Sequence, residues 1–172
     1  MTHIIIDGYN VIGIMHRDIE ASRNSFIEFL IAYYKKSDND ITVVFDGHKS
    51  GSRFEESMIR GGVRVIYSRL NATADDVIKR IITEERRQWI VVSSDRAIVS
   101  HAWSTGSIPI DSDLFYQKAL TRINTLEHEH STVDPDDFDE EDNYAEEAHH
   151  QKGNPHRLSK KDRLIKRGLS KI

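Results

Sequence analysis

Five short apolar runs punctuate the first 122 residues: HIII (3–6), ITVVF (41–45), VRVIY (63–67), WIVV (89–92) and SIPI (107–110), each bounded by polar residues or glycine. Continuous runs rich in Ile and Val mark strands buried on both faces, as in a parallel sheet. Between them, apolar positions recur at helical spacing and predict helices over 20–36, 74–87, 95–104 and 112–122. Phe26, Leu30 and Tyr33 form the inward stripe of the first; Val77, Ile78, Ile81 and Ile82 form that of the second. Strands alternating with helices imply right-handed βαβ crossovers and an α/β three-layer sandwich around a mainly parallel, five-stranded sheet. Trp89 and Trp103 fall within a strand and a helix and are expected in the core. Residues 46–62, DGHKSGSRFEESMIRGG, follow neither period and read mostly as loop.

After about residue 123 the pattern dissolves. Residues 1–122 hold 16 Lys+Arg and 16 Asp+Glu, residues 123–151 hold 11 acids with no Lys or Arg, and residues 152–172 hold 8 bases against Asp162 alone. A stretch so low in hydrophobicity and so uniform in charge cannot offset the entropy of ordering. The expected organisation is a domain over 1–122, a disordered acidic linker over 123–151 and a basic tail over 152–172. That tail is expected to form a short helix from about residue 159, ordered by a partner.

The chain holds no cysteine, so disulfides and thiolate metal sites are excluded and a cytoplasmic setting is allowed. No run approaches the roughly 20 apolar residues of a membrane helix; the longest candidate, FIEFLIAYY, is short and carries Glu28. His128, His130, His149 and His150 lie in the stretch expected to be disordered and predict no designed zinc site.

Candidate chemistry lies where the strands stop. The first run ends in Asp7, the second in Asp46 and the fourth in Ser93, Ser94 and Asp95. In an open parallel sheet, ligands bind outside the carboxyl ends of the strands. The helix opened by TADD follows the third strand and starts on the same edge. If Thr73 caps that helix, Asp76 falls where a capping box needs it, which leaves Asp75 to face the site. One Asp after a strand is most often a turn former or helix cap. Four on one rim repel one another unless a cation sits among them, and hard oxygen ligands suit Mg²⁺ or Mn²⁺. Such a site points to phosphoryl chemistry. Gly8 would permit a tight turn, bringing Asn10 back to orient Asp7 or to bind a phosphate through its amide.

DGYN, VVFDGH, TADD and SSDR, in this order over residues 3–122, together resemble the NYN domain, and specifically its YacP-like branch within the PIN-like nuclease superfamily. The resemblance implies a PIN-like Rossmannoid fold and a metal-dependent endoribonuclease, a hydrolase of RNA. It implies that Asp7 and Asp75 are the central acids, Asp95 the later acid, Asn10 the family asparagine, and Asp46 the acid after the second strand. The expected catalytic set is Asp7, Asn10, Asp75 and Asp95, and the expected ligands of Mg²⁺ or Mn²⁺ are Asp7, Asp46, Asp75 and Asp95.

RNA needs cations near an acidic rim, and Lys49, Arg53, Arg69 and Arg96, with Ser94, stand where phosphates would pass. His48 is a further candidate for RNA contact. The basic tail is expected to touch nucleic acid or a ribonucleoprotein. A second reading keeps the fold as a non-catalytic RNA- or ribosome-binding module. A third, an aspartyl-phosphate enzyme of the haloacid-dehalogenase type, needs an acid two residues after the nucleophile, where this chain has Tyr9.

Overall fold

Thr2–Asp7 (β1) forms a strand because its Ile run has two faces to bury: Ile4 and Ile6 point to one side of the sheet and Ile5 to the other, all without solvent exposure. The computed structural model describes residues 1–13, 18–47, 53–128 and 159–172. After β1 come a short helix, Gly8–Ile12 (α1), and a long one, Ile19–Lys36 (α2), then Asn39–Phe45 (β2), Glu56–Arg60 (β3) and Val63–Tyr67 (β4). Ala74–Glu84 (α3), Trp89–Val92 (β5), Arg96–Ser104 (α4), Ile108–Ile110 (β6), Ser112–His128 (α5) and Lys160–Leu169 (α6) complete the described chain.

The six strands form one sheet in the order β3-β4-β2-β1-β5-β6, parallel throughout except for β3. One apolar layer, including Phe26, Leu30, Tyr33 and Phe115 from α2 and α5, covers one face; a second, from α3 and α4, covers the other. The three-layer α/β sandwich follows, with β1 at the centre of the sheet.

The structure differs from the sequence reading at several places. The sheet has a sixth strand, because ESMIR, within the expected loop, pairs antiparallel with β4 across the two-residue turn Gly61–Gly62. Both glycines have positive φ, 55° and 94°, as such hairpins demand. Trp103 is half-buried, outside the core, with the Lys161 ammonium 5.4 Å from its ring centroid. The helix over 112–122 continues to His128, into the expected linker. Residues 129–158, with most of that linker and His130, His149 and His150, lie outside the described residues.

The largest difference is the end of the chain, which packs onto its own domain. α6 starts at a Ser159–Asp162 capping box and lies against β6 so closely that a Cβ on Gly168 would sit 3.1 Å from Ile108. Ile172 is only 1% exposed, in the same core layer as Tyr33 and Phe115. Its carbonyl accepts hydrogen bonds from the Tyr33 hydroxyl at 3.0 Å and from Arg122 at 3.2 Å, while Asn39 donates to the Lys171 carbonyl at 3.2 Å. The helix begins where the sequence places it; what orders it is the domain itself.

Candidate active site

Because β1, β2, β4, β5 and β6 run parallel, their carboxyl ends share one edge, and each expected acid stands there. Asp7 ends β1 and is 7% exposed. One of its oxygens accepts the Asn10 backbone N–H at 3.3 Å; the other accepts the hydroxyl of buried Ser93 at 3.2 Å. Burial pushes its carboxyl up to about 6, and the neighbouring Asp75 and Asp46 charges push the same way, against those two hydrogen bonds.

Asp75 stands in the first turn of α3, half-buried, with the Lys79 ammonium 3.5 Å away. Its carboxyl is also raised, first by burial and then, against the pull of Lys79, by Asp95 and Asp46. Asp76 forms the expected capping box with Thr73, and those bonds hold its carboxyl below the usual range. The capping box is therefore as the spacing predicted.

Asp46 and Asp95 both hold helix ends. Asp46 accepts the Ala74 N–H at 2.5 Å, and so fixes the first turn of α3 beside Asp75. Asp95 caps α4, accepting from Ala97 at 2.7 Å and Ile98 at 3.1 Å. Their charges are felt at Asp75 all the same. Among the described residues no three His, Asp or Glu side chains stand close enough to enclose one ion. The donor chemistry suits Mg²⁺, which typically takes one or two carboxylates and keeps several waters. Asp7 and Asp75 would be the two carboxylates for such an ion; a cage of more is not built among the described residues.

Gly8 serves packing and not the expected tight turn, and of the two roles expected of Asn10 its side chain does not take the first, orienting Asp7. Gly8 opens α1, and what needs glycine there is the approach of Phe45, whose ring carbon would lie 2.2 Å from an added Cβ. Gly8→Ala is accordingly expected to cost about 1–3 kcal/mol of stability through overpacking, read as a lower urea midpoint. Asn10 reaches Asp7 through its backbone only. Its side-chain oxygen accepts the Ser94 N–H at 2.8 Å and the Ser112 hydroxyl at 2.5 Å, which ties α1 to the ends of β5 and β6. Its amide nitrogen makes no hydrogen bond among the described residues.

One acid escaped the sequence reading. Asp111 directly follows β6, just as Asp46 follows β2, so SIPID carried the same signal. Its carboxylate accepts the Ser94 hydroxyl at 2.7 Å and the N–H groups of Asp113 and Leu114, and the Ser94 bond above all keeps its carboxyl low. Of the expected RNA contacts, Ser94 and Arg96 are exposed beside the site, and exposed Arg53 and Arg69 line a groove of ≈ 660 Å³ on the α3 side. Lys49 and His48 lie outside the described residues.

A family model of the YacP-like NYN domain matches residues 4–166. The uncharacterized protein YacP of Bacillus subtilis (strain 168) is 30% identical over 88 residues, which is 47% of this chain and about half (51%) of that relative. The crystal structure of Rae1 (YacP) from Bacillus subtilis superposes with a TM-score of 0.61 at 23% identity, covering 75% of this chain and 79% of that one. A single-substitution mutant of the same protein gives 0.62 over 74% and 80% of the two chains, again at 23% identity. At that identity the superposition speaks for the fold, and the family model, spanning strand ends and acids alike, speaks for kinship: the chain belongs to the YacP-like NYN domain family, a branch of the PIN-like nucleases.

Proposed function

We propose that this protein is a Mg²⁺- or Mn²⁺-dependent endoribonuclease, hydrolysing RNA phosphodiester bonds at the carboxyl edge of the sheet, with the cytoplasm as its setting. The observation that carries the reading is Asp7: a nearly buried carboxylate, raised to about 6, with the charges of Asp75 and Asp46 beside it. A carboxylate cluster that works against its own ionisation gains most from a divalent cation. Asp7 and Asp75 would hold the ion, with Asp95 and Asp46 adding charge from their helix caps. When bound, it supplies Lewis-acid polarisation of the phosphate and a more acidic water.

The remaining groups orient and bind. Ser93, through its bond to Asp7, fixes the carboxylate plane. Asn10, anchored by its oxygen, is left with an amide nitrogen to donate to a phosphate oxygen. Arg96, Arg53, Arg69 and Lys49 supply cations for the RNA backbone, and the Ser94 backbone holds Asn10 in place.

The test is cleavage of end-labelled structured RNA, single-stranded RNA and DNA in Mn²⁺, in Mg²⁺ and in chelator, by the wild type and by identically purified Asp75→Asn protein. Cleavage of RNA that requires the metal and falls at least a hundredfold in the variant is the expected result. RNA bound equally by both proteins and cut by neither would replace this reading with that of a non-catalytic RNA- or ribosome-binding module.

A further inference from the structure

A second groove, of ≈ 520 Å³, begins at Ser93 and Ser94 and runs away from Asp7 between α4 and α6. That volume lies within the roughly 300–1,000 Å³ typical of small-ligand clefts. One wall is α4, on which Arg96 and Trp103, seven residues apart, face the same side. The other wall is α6, which contributes Lys161 and Ile165. The Lys161 ammonium rests 5.4 Å from the Trp103 ring centroid, and neither Lys161 nor Arg96 pairs with a carboxylate among the described residues. Asp111 stands in the groove, but both its oxygens already accept bonds, from Ser94 and from the first turn of α5.

We propose that this groove is the subsite for an unpaired nucleotide flanking the scissile phosphate, its base stacked on Trp103 and its phosphate held by Arg96 and Lys161. The inference rests on the endoribonuclease reading and narrows it to single-stranded substrate. Two uncompensated cations and an accessible indole, opening directly beside the acids, suit a polyanion whose monomers each carry a flat π-face. A duplex keeps its bases stacked and offers none to an indole. Lys161 sits on a flexible stem, so its ammonium can leave the ring face for a phosphate as a base arrives. The α6 helix, basic and docked on the domain, thereby becomes one wall of the substrate path.

The full-length Asp7→Asn protein permits the test without turnover. The chain contains two tryptophans, and Trp89 has no solvent exposure, so quenching by a base reports Trp103. Titration with a short single-stranded oligoribonucleotide is expected to quench emission. Affinity, followed by anisotropy of an end label, should fall tenfold or more on Trp103→Leu and several-fold on Lys161→Ala, whose exposed side chain makes misfolding no explanation. An abasic strand of equal length should bind the Asp7→Asn protein as weakly as the intact strand binds the Trp103→Leu form. In the otherwise wild-type enzyme, Trp103→Leu should raise KM and leave kcat unchanged. A strand that binds without quenching, and equally well to Trp103→Leu and Lys161→Ala, would overturn the subsite and leave the nuclease standing. Quenching by an acidic peptide and not by RNA would also overturn it. Failure of the intact protein either to bind or to cut RNA would remove the endoribonuclease reading, and the subsite with it.

Discussion

Asp7→Asn should abolish RNA cleavage and make the metal-free protein more stable. The loss follows from the proposed role: without its charge, position 7 holds no cation, and removing a central charge from a phosphoryl-transfer site costs on the order of 10³-fold or more. The gain follows from burial. Asp7 is 7% exposed and raised from 3.8 to about 6, so its ionised form opposes folding at neutral pH. The folded state retains that proton up to about pH 6, whereas the unfolded chain releases it near 3.8, so wild-type stability should fall as pH rises from about 4 to 6 and then level off. At 1.36 kcal/mol per pKa unit the decline amounts to about 3 kcal/mol. Urea unfolding across this range should show a steeper decline in the wild type than in Asp7→Asn, where the raised Asp75 carboxyl still contributes one, with the variant the more stable above pH 6. Saturating Mg²⁺ or Mn²⁺ should stabilise the wild type alone. A variant less stable than the wild type at pH 7 would mean that the carboxylate is needed for its hydrogen bonds more than it is penalised for its burial.

Deleting residues 159–172 should be nearly as consequential, for a reason unrelated to charge. The deletion uncovers the site of Ile172, worth about 1.5–3 kcal/mol for a fully buried aliphatic side chain. It also takes carbonyl acceptors from Tyr33 and Asn39, which are 0% and 5% exposed; Asn39 still donates to the Tyr33 hydroxyl at 2.9 Å, but the Tyr33 O–H loses its acceptor, and a buried donor without one costs about 1–3 kcal/mol. The sum approaches the whole stability of many domains, which is about 5–15 kcal/mol. A drop in the urea midpoint large enough to leave the truncated chain partly unfolded at 37 °C is the expected outcome. An unchanged midpoint would show that α6 adds nothing to the fold.

The two experiments separate what the sequence discloses from what it withholds. Asp7 was legible because a strand buried on both faces makes a continuous apolar run, and the run stops at the acid proposed to hold the ion. The Thr73–Asp76 capping box was legible too, since both partners lie within one turn. β3 was not, because Glu56, Ser57 and Met58 face solvent on an edge strand and leave no periodicity to find. Its only local signature was the Gly61–Gly62 turn. Asp46 and Asp95 could both be placed on the rim from sequence; the cap Asp95 makes is local, to amides two and three residues on, whereas the amide Asp46 binds lies 28 residues away and is brought near only by the fold. The docking of α6 was the least legible. Its composition is that of a solvated basic segment, and the anchor that follows it, Ile172, meets Tyr33, 139 residues earlier in the chain.

That separation has a kinetic side. The hydrogen bond from Tyr33 to the Ile172 carbonyl joins positions 139 residues apart. Closing so long a loop carries an entropic penalty that local helices and the β3–β4 hairpin do not face, and contacts of high sequence separation slow folding. The sheet can assemble from neighbouring βα units while the slot beside Tyr33 and Asn39 waits. Closing the Tyr33–Ile172 contact seats the final helix, and with it the second wall of the α4–α6 groove.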